Sequence, residues 1–111
     1  VHGGGFVPWQ SGRWNRGYEA VSHLTRMQLS TPPRELLRNV YYDTVMHDPA
    51  LLAYLIDWAG VDRVVLGSDY PFPMGDLTPV DTLEKVPNLS DEDRAAILGG
   101  NVERLLAEVQ A

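Results

Sequence analysis

Val64-Val65-Leu66-Gly67-Ser68-Asp69-Tyr70-Pro71-Phe72-Pro73 decides how this chain folds. An apolar, β-branched run that stops at a carboxylate and then meets two prolines reads as a buried strand delivering Asp69 to its C-terminal tip. Proline has no amide donor and a fixed φ, so Pro71 and Pro73 end the ladder and stiffen the loop that follows. In parallel α/β folds the chemistry gathers at strand C-termini. Asp69 is therefore the first candidate for a functional residue.

Working outward, Val40-Tyr41-Tyr42-Asp43-Thr44-Val45 is rich in β-branched and aromatic residues and predicts a strand. Asp48-Pro49 starts a helix: Asp48 can cap free amides, and Pro49 suits the first helical position. Leu51, Leu52, Leu55, Ile56 and Ala59 then form one apolar stripe, and Gly60 stops the helix. Strand, helix and strand in this order make a βαβ crossover with parallel strands.

On the N-terminal side, Val1-His2 reads as the end of a strand, and Gly3 to Arg16 as a long loop bearing glycines and tryptophans. A helix is expected from about Arg16 to Leu29, with Ala20, Val21, Leu24 and Met27 on one face. Thr31-Pro32-Pro33 ends it, and Pro33-Arg34-Glu35-Leu36-Leu37 suits a short helical turn. On the C-terminal side a helix is expected over Val80 to Lys85. Ser90-Asp91-Glu92-Asp93 is a capping box opening a helix that ends at Gly99-Gly100. Asn101 is expected to cap a last helix carrying Val102, Leu105, Leu106 and Val109 on one side. No internal repeat and no domain boundary is evident, so residues 1–111 read as a single segment.

Two strands and a stub cannot close a parallel sheet that needs cover on both faces. The expected architecture is α/β, the C-terminal part of a (β/α)8 TIM barrel, which normally takes ~250 residues. A free-standing three-stranded α/β domain is the alternative. The start at Val1 without an initiator Met, followed at once by Gly3-Gly4-Gly5, gives the look of a chain trimmed from a longer one.

The 111 residues are 44% hydrophobic and 22% charged, as in soluble globular proteins. No apolar run approaches the ~20 residues of a membrane span, and the N-terminus has no signal-peptide pattern. The net charge of −6 and the single lysine, Lys85, argue against a nucleic-acid partner. The absence of cysteine removes disulfides and thiolate ligands and is compatible with a cytoplasmic location. A metal would have to be held by histidine and carboxylate.

His2 precedes a glycine run that lets backbone pass close to a ligand, so it can project into a cavity, or it can belong to a loose terminal tail. Histidine and carboxylate on separate strand tips are the ingredients of an oxygen/nitrogen metal site. His47, at the tip of the middle strand, is either catalytic or a hydrogen-bonded shaper of the strand-to-helix turn. His23 reads as exposed. Asp43 reads as a strand-end carboxylate paired with an arginine. Arg13, between Trp9 and Trp14, is either a fork for a substrate carboxylate or a surface arginine stacked on a tryptophan.

Taken together, His2-Gly3-Gly4-Gly5, Gly12-Arg13, Tyr42-Asp43, His47-Asp48-Pro49, the Gly67 to Pro73 motif and Gly100-Asn101 resemble the metal-dependent amidohydrolase superfamily. The branch they resemble is that of aminocarboxymuconate semialdehyde decarboxylase and its relatives, over the C-terminal portion only. The resemblance implies that Asp69 ligates the metal, that His2 is the acid/base catalyst, and that Arg13 reaches a substrate carboxylate from the neighbouring subunit of a dimer. It implies zinc, or another divalent metal, and a small-molecule carboxylate substrate that is unsaturated or aromatic. The His-x-His pair and the further histidine that complete the family's metal site have no counterpart here.

The resulting expectation is part of a zinc-dependent decarboxylase. A hydrolase or hydratase of the same superfamily, and an inactive barrel fragment that self-associates, are the alternatives.

Overall fold

The computed structural model describes residues 1–25 and 29–110. Two short parallel strands, β1 (Tyr42–Asp43) and β2 (Val64–Val65), pair Tyr42 with Val64 and Asp43 with Val65. The amide of Thr44 donates to the carbonyl of Val65 at 3.1 Å and carries the pairing one rung further. The expected parallel βαβ unit is therefore present.

Its crossover helix, which completes the unit, forms for local reasons. Before β1 lie helices α1 (Val7–Ala20), α2 (Ser22–Thr25) and α3 (Pro33–Leu37), and after it α4 (Pro49–Ala59). Asp48 caps α4 by accepting from the amides of Ala50 and Leu51 at 2.8 and 3.2 Å. Gly60 closes α4 at φ 95°, a backbone region that favours glycine, and its amide donates to the Ile56 carbonyl. Of the expected stripe, Leu52, Leu55, Ile56 and Ala59 are buried, while Leu51 turns to the surface. A 3₁₀ turn, Val61–Arg63, leads into β2.

The core unites Tyr42, Leu52, Leu55, Ile56, Ala59 and Val64 with Leu83, Val86 and Ile97 from the C-terminal part of the chain, which carries three helices. Those are α5 (Pro79–Glu84), α6 (Asp91–Ala95) and α7 (Asn101–Gln110). Ser90 caps α6 through the Asp93 amide at 3.1 Å, as the capping box predicts. α6 does not stop at the glycines: a π-helical turn, Ala96–Gly100, continues it into α7. The wider turn presents the Ile97 carbonyl to the Leu66 amide at 3.0 Å.

Asn101 is consequently no cap. It has helical φ and ψ, is fully buried, and donates from Nδ2 to the carbonyls of Val61 and Val64 at 2.8 and 2.7 Å. The apolar side expected on α7 is not covered by the described residues: Leu106 and Val109 are 54% and 77% exposed.

The N-terminal third departs most from expectation. The segment expected as a loop is α1, and the helix expected from Arg16 instead ends at Ala20, where Val21 leaves the helical region at φ −122° and ψ 46°. α2 follows, with Leu24 exposed, and Met27 lies outside the described residues. Pro8 fits the helix start, and α1 buries Pro8, Ser11 and Tyr18 rather than an apolar stripe. α1 docks on α4 through a Trp58 Nε1 to Ser11 Oγ hydrogen bond of 3.1 Å and a Trp9–Tyr54 stack at 4.7 Å. No helix among the described residues is long and apolar enough to cross a membrane.

Candidate functional site

Three chain crossings converge beyond the C-terminal ends of the strands. Residues following β1 bring His47, residues following β2 bring Asp69, and the turn that opens the chain brings His2. Together with Val45 and Met74 they line a cavity of about 310 Å³. The Nε2 of His2 lies 3.3 Å from Oδ2 of Asp69. The imidazole is 57% exposed and the carboxylate 25%, so the pair sits at the mouth of the cavity.

The backbone is shaped to aim these side chains inward. His2, His47 and Asp69 have φ of 52°, 55° and 57°, the left-handed region that non-glycine residues seldom occupy. Held there, each residue leaves its neighbours' path and turns its side chain toward the same space. Rather than ending a strand, His2 forms a 3₁₀ turn with Gly3 and Gly4. A Cβ on Gly4 would lie 2.6 Å from the Tyr42 ring, so the turn needs glycine to seat against β1.

The loop after Asp69 is closed on itself. Asp76 N donates to the Ser68 carbonyl at 2.8 Å, Phe72 N to the Asp69 carbonyl at 3.0 Å and Gly75 N to the Phe72 carbonyl at 2.9 Å. Tyr70–Pro71 is a cis peptide. Asp76 is buried and accepts from Thr78 N and from the Thr82 hydroxyl at 2.7 Å, which ties the loop to α5. On the other side, the Thr44 hydroxyl accepts from Gly67 N at 3.1 Å and donates to Gly67 O at 3.3 Å. That side chain takes the place of the next ladder rung and fixes the strand two residues before Asp69.

Asp43 has a different partner from the arginine expected for it. Its Oδ1 accepts from the amides of Gly3 and Val45 at 2.9 and 3.0 Å. The arginine beside this strand, Arg63, instead stacks over the Tyr41 ring at 5.2 Å. Tyr42, beneath the site, donates its hydroxyl to the Leu37 carbonyl at 2.8 Å, and burial pushes its pKa above the usual tyrosine value.

Arg13 is not brought to this cavity. It stands exposed on α1 and lines a separate groove with Trp14, Gly17, Tyr18, Leu29 and Pro33. His23 is exposed, as expected. Residues that sequence reasoning passed over are Thr44, Val45 and Met74; a hydroxyl directly after a strand-end carboxylate was the one available signal.

As a metal site the donor types fit and the donor number does not close. Imidazole and carboxylate are what zinc accepts in the absence of thiolate, but a tetrahedral site takes three or four protein ligands. Among the described residues no group of three or more such side chains comes together.

A sequence model of the amidohydrolase family matches residues 1–107. The chain is 35% identical over 106 residues to 2-amino-3-carboxymuconate-6-semialdehyde decarboxylase of Dictyostelium discoideum, covering 96% of this chain and 30% of that protein. It is 34% identical to the protein of the same name from Caenorhabditis elegans, covering 26% of it. Among solved structures it resembles the apo IDCase of Metarhizium anisopliae, with a TM-score of 0.74 at 28% identity over 96% of this chain and 32% of that one. It also resembles the 5-carboxyvanillate decarboxylase LigW of Sphingomonas paucimobilis, with a TM-score of 0.79 at 25% identity over 94% and 31% of the two chains. The chain thus spans less than a third of the curated relatives it matches. With residues 1–107 matched and the strand-tip motif in place, the chain belongs to the amidohydrolase family, on the branch like 2-amino-3-carboxymuconate-6-semialdehyde decarboxylase.

Proposed function

We propose that this chain is the C-terminal part of a (β/α)8 barrel decarboxylase that releases CO2 from an unsaturated or aromatic carboxylate, working as a homodimer with a divalent metal, zinc in the first instance. The observation that carries the proposal is the His2–Asp69 pair, 3.3 Å apart at the mouth of a cavity at the strand tips. Three of the four matched relatives are named decarboxylases, and those names supply the reaction class.

In this reading Asp69 contributes one metal ligand, and the rest come from barrel strands outside the chain. A divalent cation there supplies Lewis acidity. The chain's own residues do the remainder. His2, an imidazole with its Nε2 at the cavity mouth, is placed to exchange a proton with the reacting carbon as the carboxylate leaves and its bonding electrons pass into the unsaturated system. Val45 and Met74 keep the reacting end against apolar walls, which favours loss of charge as CO2 departs. Because Arg13 faces away from its own cavity, it suits the role of carboxylate fork across the dimer.

The experiment is CO2 release from 2-amino-3-carboxymuconate-6-semialdehyde and from 5-carboxyvanillate by the complete barrel, with His2→Ala and Asp69→Ala alongside. The expected result is turnover of at least one substrate, lowered roughly 10²–10⁴-fold by His2→Ala with metal content unchanged. His2→Ala with near-normal turnover overturns the acid/base role. Ester or lactone hydrolysis without CO2 release would move the reaction to the hydrolytic members of the family.

A further inference from the structure

Four consecutive residues, His2 to Gly5, have positive φ, at 52°, 59°, 80° and 57°. No strand or helix ladder can hold such a run. Its internal bonds, Gly4 N to Val1 O at 3.1 Å and Gly5 N to His2 O at 2.9 Å, close the turn on itself and do not orient it against the strands. Orientation comes from the side. Tyr42 and Met46 pack so closely that a Cβ on Gly4 or Gly3 would collide with the Tyr42 ring or the Met46 sulfur. Between those two walls, Oδ1 of Asp43 grips the Gly3 amide at 2.9 Å, 40 residues away in sequence. The same oxygen holds the Val45 amide at 3.0 Å, which fixes the carboxylate's own rotamer.

From this geometry we infer that Asp43 is a positioning residue for the acid–base pair. By anchoring the amide directly after His2, it sets where the imidazole falls and so holds Nε2 beside Asp69. The inference rests on the acid–base role proposed for His2. Asp43 acts here through the two hydrogen bonds that Oδ1 accepts, while Oδ2 lies 3.6 Å from the Val1 amino group, and Asp43 is not among the residues that line the cavity. A displacement of His2 by about 1 Å is enough to cost on the order of 10²-fold in rate, because proton transfer depends steeply on geometry.

The test uses the complete metal-loaded barrel and four variants. Asp43→Asn keeps the acceptor oxygen and should retain kcat within about 3-fold. Asp43→Ala removes both grips and should lower kcat about 10²-fold with KM little changed. Asp43→Ser keeps a local acceptor for Val45 N but is one bond too short for Gly3. It should fold as the wild type does and still lose kcat, which keeps the test decisive if the alanine variant fails to fold.

The second readout is the nitrogen resonances of isotopically labelled His2. They should report the contact of Nε2 with the Asp69 carboxylate in wild type and Asp43→Asn, and its loss in Asp43→Ser. An asparagine variant as impaired as the serine variant would overturn the inference, since charge would then be what matters. So would a folded serine variant with normal kcat and normal His2 resonances. His2→Ala separates the two ideas: if it is active, the acid–base reading fails; if it is inactive while Asp43→Ser is unaffected, only the positioning role fails.

Discussion

Replacing the fully buried Asn101 with alanine removes three hydrogen bonds. In the native chain Nδ2 donates to the Val61 and Val64 carbonyls at 2.8 and 2.7 Å, and Oδ1 accepts from Arg104 at 2.9 Å. Val64 is fully buried, so its carbonyl loses a partner that solvent cannot replace, at about 1–3 kcal/mol. The Val61 carbonyl lies nearer the surface and adds the smaller net value of a hydrogen bond, about 1 kcal/mol. The missing side-chain atoms leave a small cavity, worth roughly another 1 kcal/mol. The expected total is about 3–5 kcal/mol. With a urea dependence of about 2 kcal/mol per molar, the unfolding midpoint should fall by roughly 1.5–2.5 M at unchanged slope.

Two companion variants sharpen the reasoning. Asn101→Leu restores volume but no donor, so it should recover only the cavity share. Asn101→Asp is isosteric yet turns an acceptor toward two carbonyl oxygens, so it should be worse than alanine at neutral pH. An alanine midpoint within about 0.5 M of wild type, or an aspartate variant more stable than the alanine, would refute the claim that the bridge from α7 to β2 is held by donation.

Gly75→Ala places a Cβ 2.7 Å from the Ser68 carbonyl oxygen and 3.1 Å from those of Asp69 and Phe72, all backbone atoms. The loop must shift, and zinc affinity of the completed site should drop about 10–100-fold in equilibrium dialysis; unchanged affinity would show that the loop does not set Asp69. Asp48→Ala frees the Ala50 and Leu51 amides and should cost about 1 kcal/mol in denaturant unfolding, with asparagine restoring most of it. Burial raises the Tyr42 pKa above its ordinary 10.0. Its neutral form is thus favoured by folding, and the stability it adds is complete below pH 10 and lost as pH rises through the folded value. The difference between wild-type and Tyr42→Phe absorbance titrations should show a step later than that of ordinary tyrosines, and a step at or below the usual value would contradict the burial.

How much of this was legible in the sequence depended on how far away each residue's partner lies. α4 and α6 were readable because Asp48, Pro49, Gly60 and Ser90 act on amides within a few positions. The convergence of His47 and Asp69 was readable because parallel strands bring their tips to one side, and His2 joins them from a 3₁₀ turn where a strand end was expected. α1 was not, because the glycines from Gly3 to Gly12 argue locally for a loop while the helix is held by Trp58 and Tyr54 on α4. Asn101 misled for the same reason: after two glycines it looks like a cap, yet its acceptors lie 37 and 40 residues upstream. Asp43 likewise bonds an amide 40 residues earlier, and nothing beside it in the chain points there.

The left-handed backbone at His2, His47 and Asp69 has a consequence for how variation in this protein would be read. A side chain in that region costs of order 1 kcal/mol or more, while glycine is at ease there but gains freedom when unfolded. The two effects nearly offset each other, so glycine at any of the three should leave abundance in cells close to normal. A survey scored on expression or solubility would therefore flag Asn101 or Leu52 and pass over the three positions that face the cavity. For these positions, tolerance in such a survey says nothing about dispensability.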